Sequence, residues 1–143
     1  MKHFIDINSF KKKEIDEIIS LAKKIKKNPK KYSSSCKDKT LGLIFEKQSL
    51  RTRLSFNVGM QKLGGFVLEL QSKDIGFDNK REKAEDVLNV LSQYIDCLMI
   101  RNNNHKQIVN LSKENILPII NGLTEYSHPC QIPVSYTHLT LPT

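Results

Sequence analysis

The sequence has little cysteine. Cys36, Cys97 and Cys130 make an odd set of 3 with no paired spacing, which argues against a disulfide framework and for reduced thiols in a cytoplasmic protein. Residues 1–10 carry no apolar core of the kind a signal peptide needs. No apolar run approaches a membrane span, so no membrane partner is expected. Acidic residues are the minority, 15 against 23 Lys and Arg, for a net charge of +8. A basic excess invites a nucleic-acid reading. Much of it, however, lies in residues 11–31, with little aromatic interleaving and no RNA-binding motif. A Lys-rich solvated face is the preferred reading, with a share available to steer anionic substrates. No internal repeat is visible, and 143 residues suffice for one domain with a real core.

Within that frame, apolar runs and amphipathic stretches alternate. Ser9 reads as the N-cap of a helix over residues 10–27, with Ile15, Ile18, Ile19, Ala22 and Ile25 on one face, ended by Asn28-Pro29. Strands are expected at 41–45, 66–70, 96–101 and 116–121, the last made less regular by Pro118. Helices are expected at 50–63, with Leu54, Val58, Met60 and Leu63 inward, at 82–94, and at 104–113. Gly64-Gly65 supplies a helix stop, and residues 71–81 read as a polar loop. The alternation predicts an α/β fold, a parallel four-stranded sheet flanked by helices.

The chemistry-bearing residues follow strand ends, where ligands bind in such sheets. Residues 45–53 read FEKQSLRTR. They join a strand to a helix start, whose free N–H groups and dipole suit an anion. Ser49 and Thr52 add hydroxyls, and Arg51 and Arg53 add guanidinium forks suited to phosphate. Arg101 ends the third strand, and HPCQ, His128 to Gln131, follows the fourth.

These two motifs, together with HFIDINSF, VGMQKLGG, MIR and NGLTEYSHPCQ, resemble the transcarbamylases, and FEK and NGLT resemble the ornithine branch more than the aspartate branch. The resemblance covers residues 2 to about 132. It implies a carbamoyl-phosphate-binding domain over 1–132, whose full-length parent transfers a carbamoyl group to L-ornithine, giving citrulline and phosphate in arginine metabolism. Other amines, such as aspartate, an acylated ornithine or a diamine, stay open. A non-catalytic basic binding module is the rival from another class. By the resemblance, Ser49, the Leu50 backbone N–H, Arg51, Thr52 and Arg53 line the phosphate end. Arg51 neutralises the leaving phosphate. Thr52, Arg101 and His128 converge on the carbonyl oxygen, and Pro129, Cys130 and Gln131 complete the carbamoyl side, with Gln131 accepting from the NH2. Arg53 could instead pair with Glu46 and brace the loop. The resemblance requires no metal, no cofactor and no covalent intermediate, and implies a homotrimer.

This sequence departs from the family pattern in three places. Leu50 replaces a Thr. The loop after the second strand reads DIGFDNKRE, with Gly76 where the family has a Gln; Lys80, Arg81 or Lys83 could supply a donor instead. The tail PVSYTHLTLPT, Pro133 to Thr143, carries no charge and matches the translation of a common transposase sequencing adapter. Native sequence is expected to end at Ile132, so Tyr136, Thr137 and His138 receive no functional reading.

Overall fold

A computed structural model describes residues 1–75 and 82–130. The expected sheet is present: four parallel strands in the order β2-β1-β3-β4, namely β1 Thr40–Phe45, β2 Phe66–Leu70, β3 Cys97–Arg101 and β4 Ile119–Leu123. Among the described residues five α-helices accompany them: α1 Lys12–Lys27, α2 Leu50–Lys62, the single turn α3 Ser72–Ile75, α4 Ala84–Ser92 and α5 His105–Lys113. The chain leaves β1 through α2 to β2 on one side, then crosses to β3 on the other. That reversal opens a crevice above the carboxyl ends of β1 and β3.

Strand alternation sorts the core onto two faces. Leu41, Leu43 and Met99 meet Phe56 and Met60 of α2, with Phe45, Val67, Cys97 and Ile120 around them. Ile44, Leu98, Ile100 and Ile119 face the other way, against Val87 and Leu88 of α4 and Ile108 and Leu111 of α5. Gly42 is small because Ile95 and Leu98 occupy the space over it; a Cβ there would lie 3.1 Å from Leu98 Cδ1. Among the described residues, no helix is long and apolar enough to cross a membrane.

Several boundaries differ from expectation for local reasons. Ser9 does not cap α1. Its hydroxyl donates to the Asp6 carbonyl at 2.6 Å, inside a 3-10 turn at Ile7–Ser9 that Asp6 caps. Lys11 takes the cap position instead, and its backbone N–H donates to Glu14 Oε2 at 2.9 Å. The fourth strand starts three residues later than expected and ends two residues later, because it begins only after Pro118, which has no N–H to give; the Pro118 carbonyl accepts from Leu98 N at 2.9 Å. The expected polar loop begins with α3, where Ile75 is buried. The remainder of that loop, including Gly76, Lys80 and Arg81, lies outside the described residues, and Lys83 is the N-cap residue of α4.

Leu54 and Val58 do not face inward; they are 52% and 42% exposed. With Leu50, 70% exposed, they form a stripe at four-residue spacing along the outer side of α2. The N-terminal segment lies along the far edge of the sheet, where Phe4 pairs with Ile120 in parallel.

Candidate functional site: a phosphate-type crevice at the strand ends

The loop after β1 reaches α2 at Ser49, its N-cap. Ser49 Oγ accepts from Thr52 N at 3.4 Å and donates to Thr52 Oγ1 at 3.0 Å. From the end of β3, Arg101 Nη1 donates to the same Thr52 oxygen at 3.0 Å. This bond spans the crevice where the strand order reverses. With two donors on its oxygen, the Thr52 hydroxyl keeps its own proton to give elsewhere. Arg101 Nε has no partner among the described residues. The Thr52 and Arg101 side chains both line the pocket at a helix N-terminus that is itself positive.

A pocket of about 450 Å³ forms there, lined by Ser49, Arg51, Thr52, Arg101, His128 and Cys130 among the residues expected from sequence. Ser55, Phe56 and Leu123 line it too. The first two lie a helical turn beyond Arg51 and Thr52, a spacing that could have disclosed them; Leu123 is the last residue of β4. Leu50 and Arg53 are not part of the lining. Arg53 points to the other side of α2, its Nε 3.4 Å from Glu69 Oε2 and its guanidinium 5.0 Å from the centre of the Phe45 ring. Its ion-pair partner is therefore Glu69. Pro129 is buried behind the pocket, and Gln131 lies outside the described residues.

His128 enters from the turn after β4. Its Nδ1 is buried without a partner among the described residues. Burial first, and the Arg101 charge second, hold the imidazole below its ordinary value. The neutral ring is favoured, able to donate from one nitrogen and accept at the other. Burial pushes the Cys130 thiol up to about 11, and Cys130 Sγ donates to the Asn121 carbonyl at 3.4 Å. It is a protonated side chain of the wall, not a nucleophile. No cluster of three or more metal-ligating side chains occurs among the described residues.

The His128 shift carries a sign. Its folded-state value lies below the unfolded one, so the unfolded chain takes up the proton first as pH falls. Stability attributable to this group is therefore complete above about pH 6.5 and declines below it, until the folded value is passed. His128→Gln is expected to flatten that acid limb. Urea midpoints of both proteins at about pH 7.5 and about pH 5.5 measure it, and equal slopes would refute the assignment.

Taken as a class, the fold and crevice define a parallel α/β domain with an Arg- and hydroxyl-lined pocket at its switch point. The chain belongs to the aspartate/ornithine carbamoyltransferase family: residues 2–138 match its carbamoyl-P binding domain. It is 44% identical over 138 residues to an ornithine carbamoyltransferase of Campylobacter hominis, covering 95% of this chain and 45% of that protein. The solved ornithine carbamoyltransferase of Pyrococcus furiosus superposes with a TM-score of 0.89 at 36% identity, covering 96% of this chain and 44% of that one. A solved N-acetyl-L-ornithine transcarbamylase, complexed with carbamyl phosphate and N-succinyl-L-norvaline, superposes with a TM-score of 0.83 at 28% identity, covering 97% of this chain and 47% of that one. The chain thus spans a little under half the length of the relatives it matches.

Proposed function

We propose that this chain is the carbamoyl-phosphate half of an ornithine carbamoyltransferase, which joins carbamoyl phosphate to the δ-amine of L-ornithine and releases citrulline and phosphate in arginine metabolism. The observation that carries the reading is the Arg101–Thr52 bond at 3.0 Å across the switch point, in the pocket that His128 also lines. Ser49, the Leu50 N–H, Arg51 and Thr52 hold the phosphate at the helix start. Arg51, a charge at the mouth, offsets the charge that develops on the leaving phosphate. Thr52, Arg101 and neutral His128 converge on the carbonyl oxygen and stabilise the tetrahedral oxyanion formed when the amine attacks. Gln131 orients the carbamoyl NH2. Arg53, turned onto Glu69 and Phe45, braces the phosphate loop rather than the ligand.

The names of the relatives favour ornithine as acceptor. The likeness to an N-acetyl-L-ornithine transcarbamylase keeps an acylated ornithine as the second reading. The amine contacts belong to the part of the relatives' length that this chain does not span. A cytoplasmic location, a homotrimer in the full-length protein and the absence of nucleic-acid partners belong to the same proposal. The outward stripe of Leu50, Leu54 and Val58 is an apolar surface of the kind that assembly covers. The tail from Pro133 is proposed to be adapter-derived. The family match reaches residue 138, so resequencing across codon 132 decides where native sequence stops.

Calorimetry with carbamoyl phosphate is the direct test. The chain is expected to bind it more tightly than inorganic phosphate, and to yield no citrulline with ornithine on its own. Equal affinity for the two ligands, or binding of neither, sinks the reading. A full-length protein that stays monomeric at every concentration in sedimentation counts against the assembly.

A further inference from the structure

Asn121, in β4, is fully buried and outside the pocket lining, yet it bonds the residue before His128, the thiol of Cys130 and the N-terminal segment. Its Nδ2 donates to the Ile5 carbonyl at 2.9 Å and to the Ser127 carbonyl at 3.2 Å. Its Oδ1 accepts from Leu123 N at 3.0 Å. Its backbone N–H donates to the Phe4 carbonyl at 2.8 Å, and its carbonyl accepts from the Cys130 thiol.

The Ser127 carbonyl is the critical partner, because it belongs to the peptide bond that leads into His128. It also accepts from Thr124 N at 2.9 Å and Thr124 Oγ1 at 3.2 Å. Three donors therefore fix that peptide plane. On the other side of His128, Pro129 is buried and its ring fixes its own φ. The His128 backbone is held from both sides, while its Nδ1 has no partner among the described residues.

We propose that Asn121 is a positioning residue that sets the His128 imidazole against the carbamoyl end of the ligand. The inference rests on the reading of the pocket given above and deepens it. Only a carboxamide satisfies the node: two N–H groups for two carbonyls, and one oxygen for an N–H. Asp in its place sets a carboxylate against two carbonyl oxygens. Leu keeps the branched shape, takes the side-chain partner from the Ile5 carbonyl and the Leu123 N–H, and removes one of the three donors on the Ser127 carbonyl.

The test titrates carbamoyl phosphate and inorganic phosphate separately into the wild-type chain, Asn121→Asp and Asn121→Leu, with the pH titration of the His128 ring followed by NMR. Inorganic phosphate needs only the helix-start end of the pocket; carbamoyl phosphate also needs His128. The folded variants are expected to lose roughly tenfold in carbamoyl phosphate affinity, the worth of one misplaced hydrogen bond. Their phosphate affinity should be unchanged, and the His128 titration midpoint should move. A folded variant with wild-type carbamoyl phosphate affinity and an unmoved His128 midpoint overturns the proposal. If the wild type binds neither ligand, the pocket reading falls, and the His128 midpoint in the variants alone decides the positioning role. If neither variant folds, the wild type decides: the Asn121 carboxamide resonances are expected to shift with carbamoyl phosphate and not with inorganic phosphate, and equal responses overturn the proposal.

Discussion

Arg101→Leu is expected to weaken carbamoyl phosphate binding by about 100-fold, with little loss of stability. The guanidinium bonds Thr52 Oγ1 through one nitrogen while its Nε stays unpaired among the described residues. It therefore offers a charged donor to the ligand and orients a second donor at the same time. Removing a half-buried charged partner from an anion costs about 2–5 kcal/mol, and about 2.7 kcal/mol is 100-fold. Arg101→Lys is expected to recover only part of this. A single ammonium cannot bond Thr52 and present a second donor in a fixed plane. The substitution to Leu also removes one of the two causes that depress the His128 imidazole, so the ring's titration should move upward by NMR. Calorimetry on a variant that melts like the wild type measures the first effect, and a loss below about threefold would contradict the role.

Gly64→Ala is expected to be the most damaging small substitution away from the site, at about 2–5 kcal/mol, a large fraction of the stability of a single domain. Gly64 follows α2 with φ +83°, a left-handed conformation that costs an L-residue about 1–2 kcal/mol. A Cβ there would overlap the Ser33 backbone carbonyl and lie 3.2 Å from Ser34 Cα. Both obstacles are main chain, so no rotamer can yield, and forced repacking adds about 1–3 kcal/mol. Urea unfolding of the purified variant is the measurement. A midpoint within error of wild type would show that the 33–36 connector moves aside.

The strands and the phosphate loop were legible because each has a short-range cause. Residues 66–70 follow α2's glycine turn as a short, mostly apolar run, and they form β2 as expected. Ser49 precedes a helix at the position where a hydroxyl caps it. The loop's two arginines divide, as the alternative bracing role for Arg53 anticipates, although its partner is Glu69. Residues two apart on a helix point about 200° apart, so Arg51 reaches the pocket while Arg53 turns to Glu69. Helical geometry alone could have predicted that division.

On α2, Met60 packs inward as expected, whereas Leu54 and Val58 face outward for a different reason. The helix carries two apolar stripes: Leu50, Leu54 and Val58 on one side, Phe56 and Met60 on another. Periodicity finds both and cannot say which one meets the sheet. Packing selects Phe56 and Met60, which fill the space over Leu43 and Met99. The role of Asn121 is not legible in a linear motif, because its amide joins the turn at Ser127 to Ile5, 116 residues away. Position 118 carries the opposite lesson. Pro118 marked an irregular strand, and the strand begins just after it.

The Phe4–Ile120 pairing has a consequence for synthesis. Translation delivers the amino terminus first, yet its sheet partner and the Asn121 amide that holds Ile5 are among the last described residues to be made. While the ribosome is still adding residues before 121, Phe4 and Ile5 have nothing to dock on. Joining ends this far apart requires closing a loop of nearly the whole domain, a contact whose entropic cost places it late. The edge of the sheet beside β4 is therefore the last part of the domain to close on the nascent chain. Until then β4 presents an unpaired strand edge, the kind of surface that chaperones and stray strands recognise.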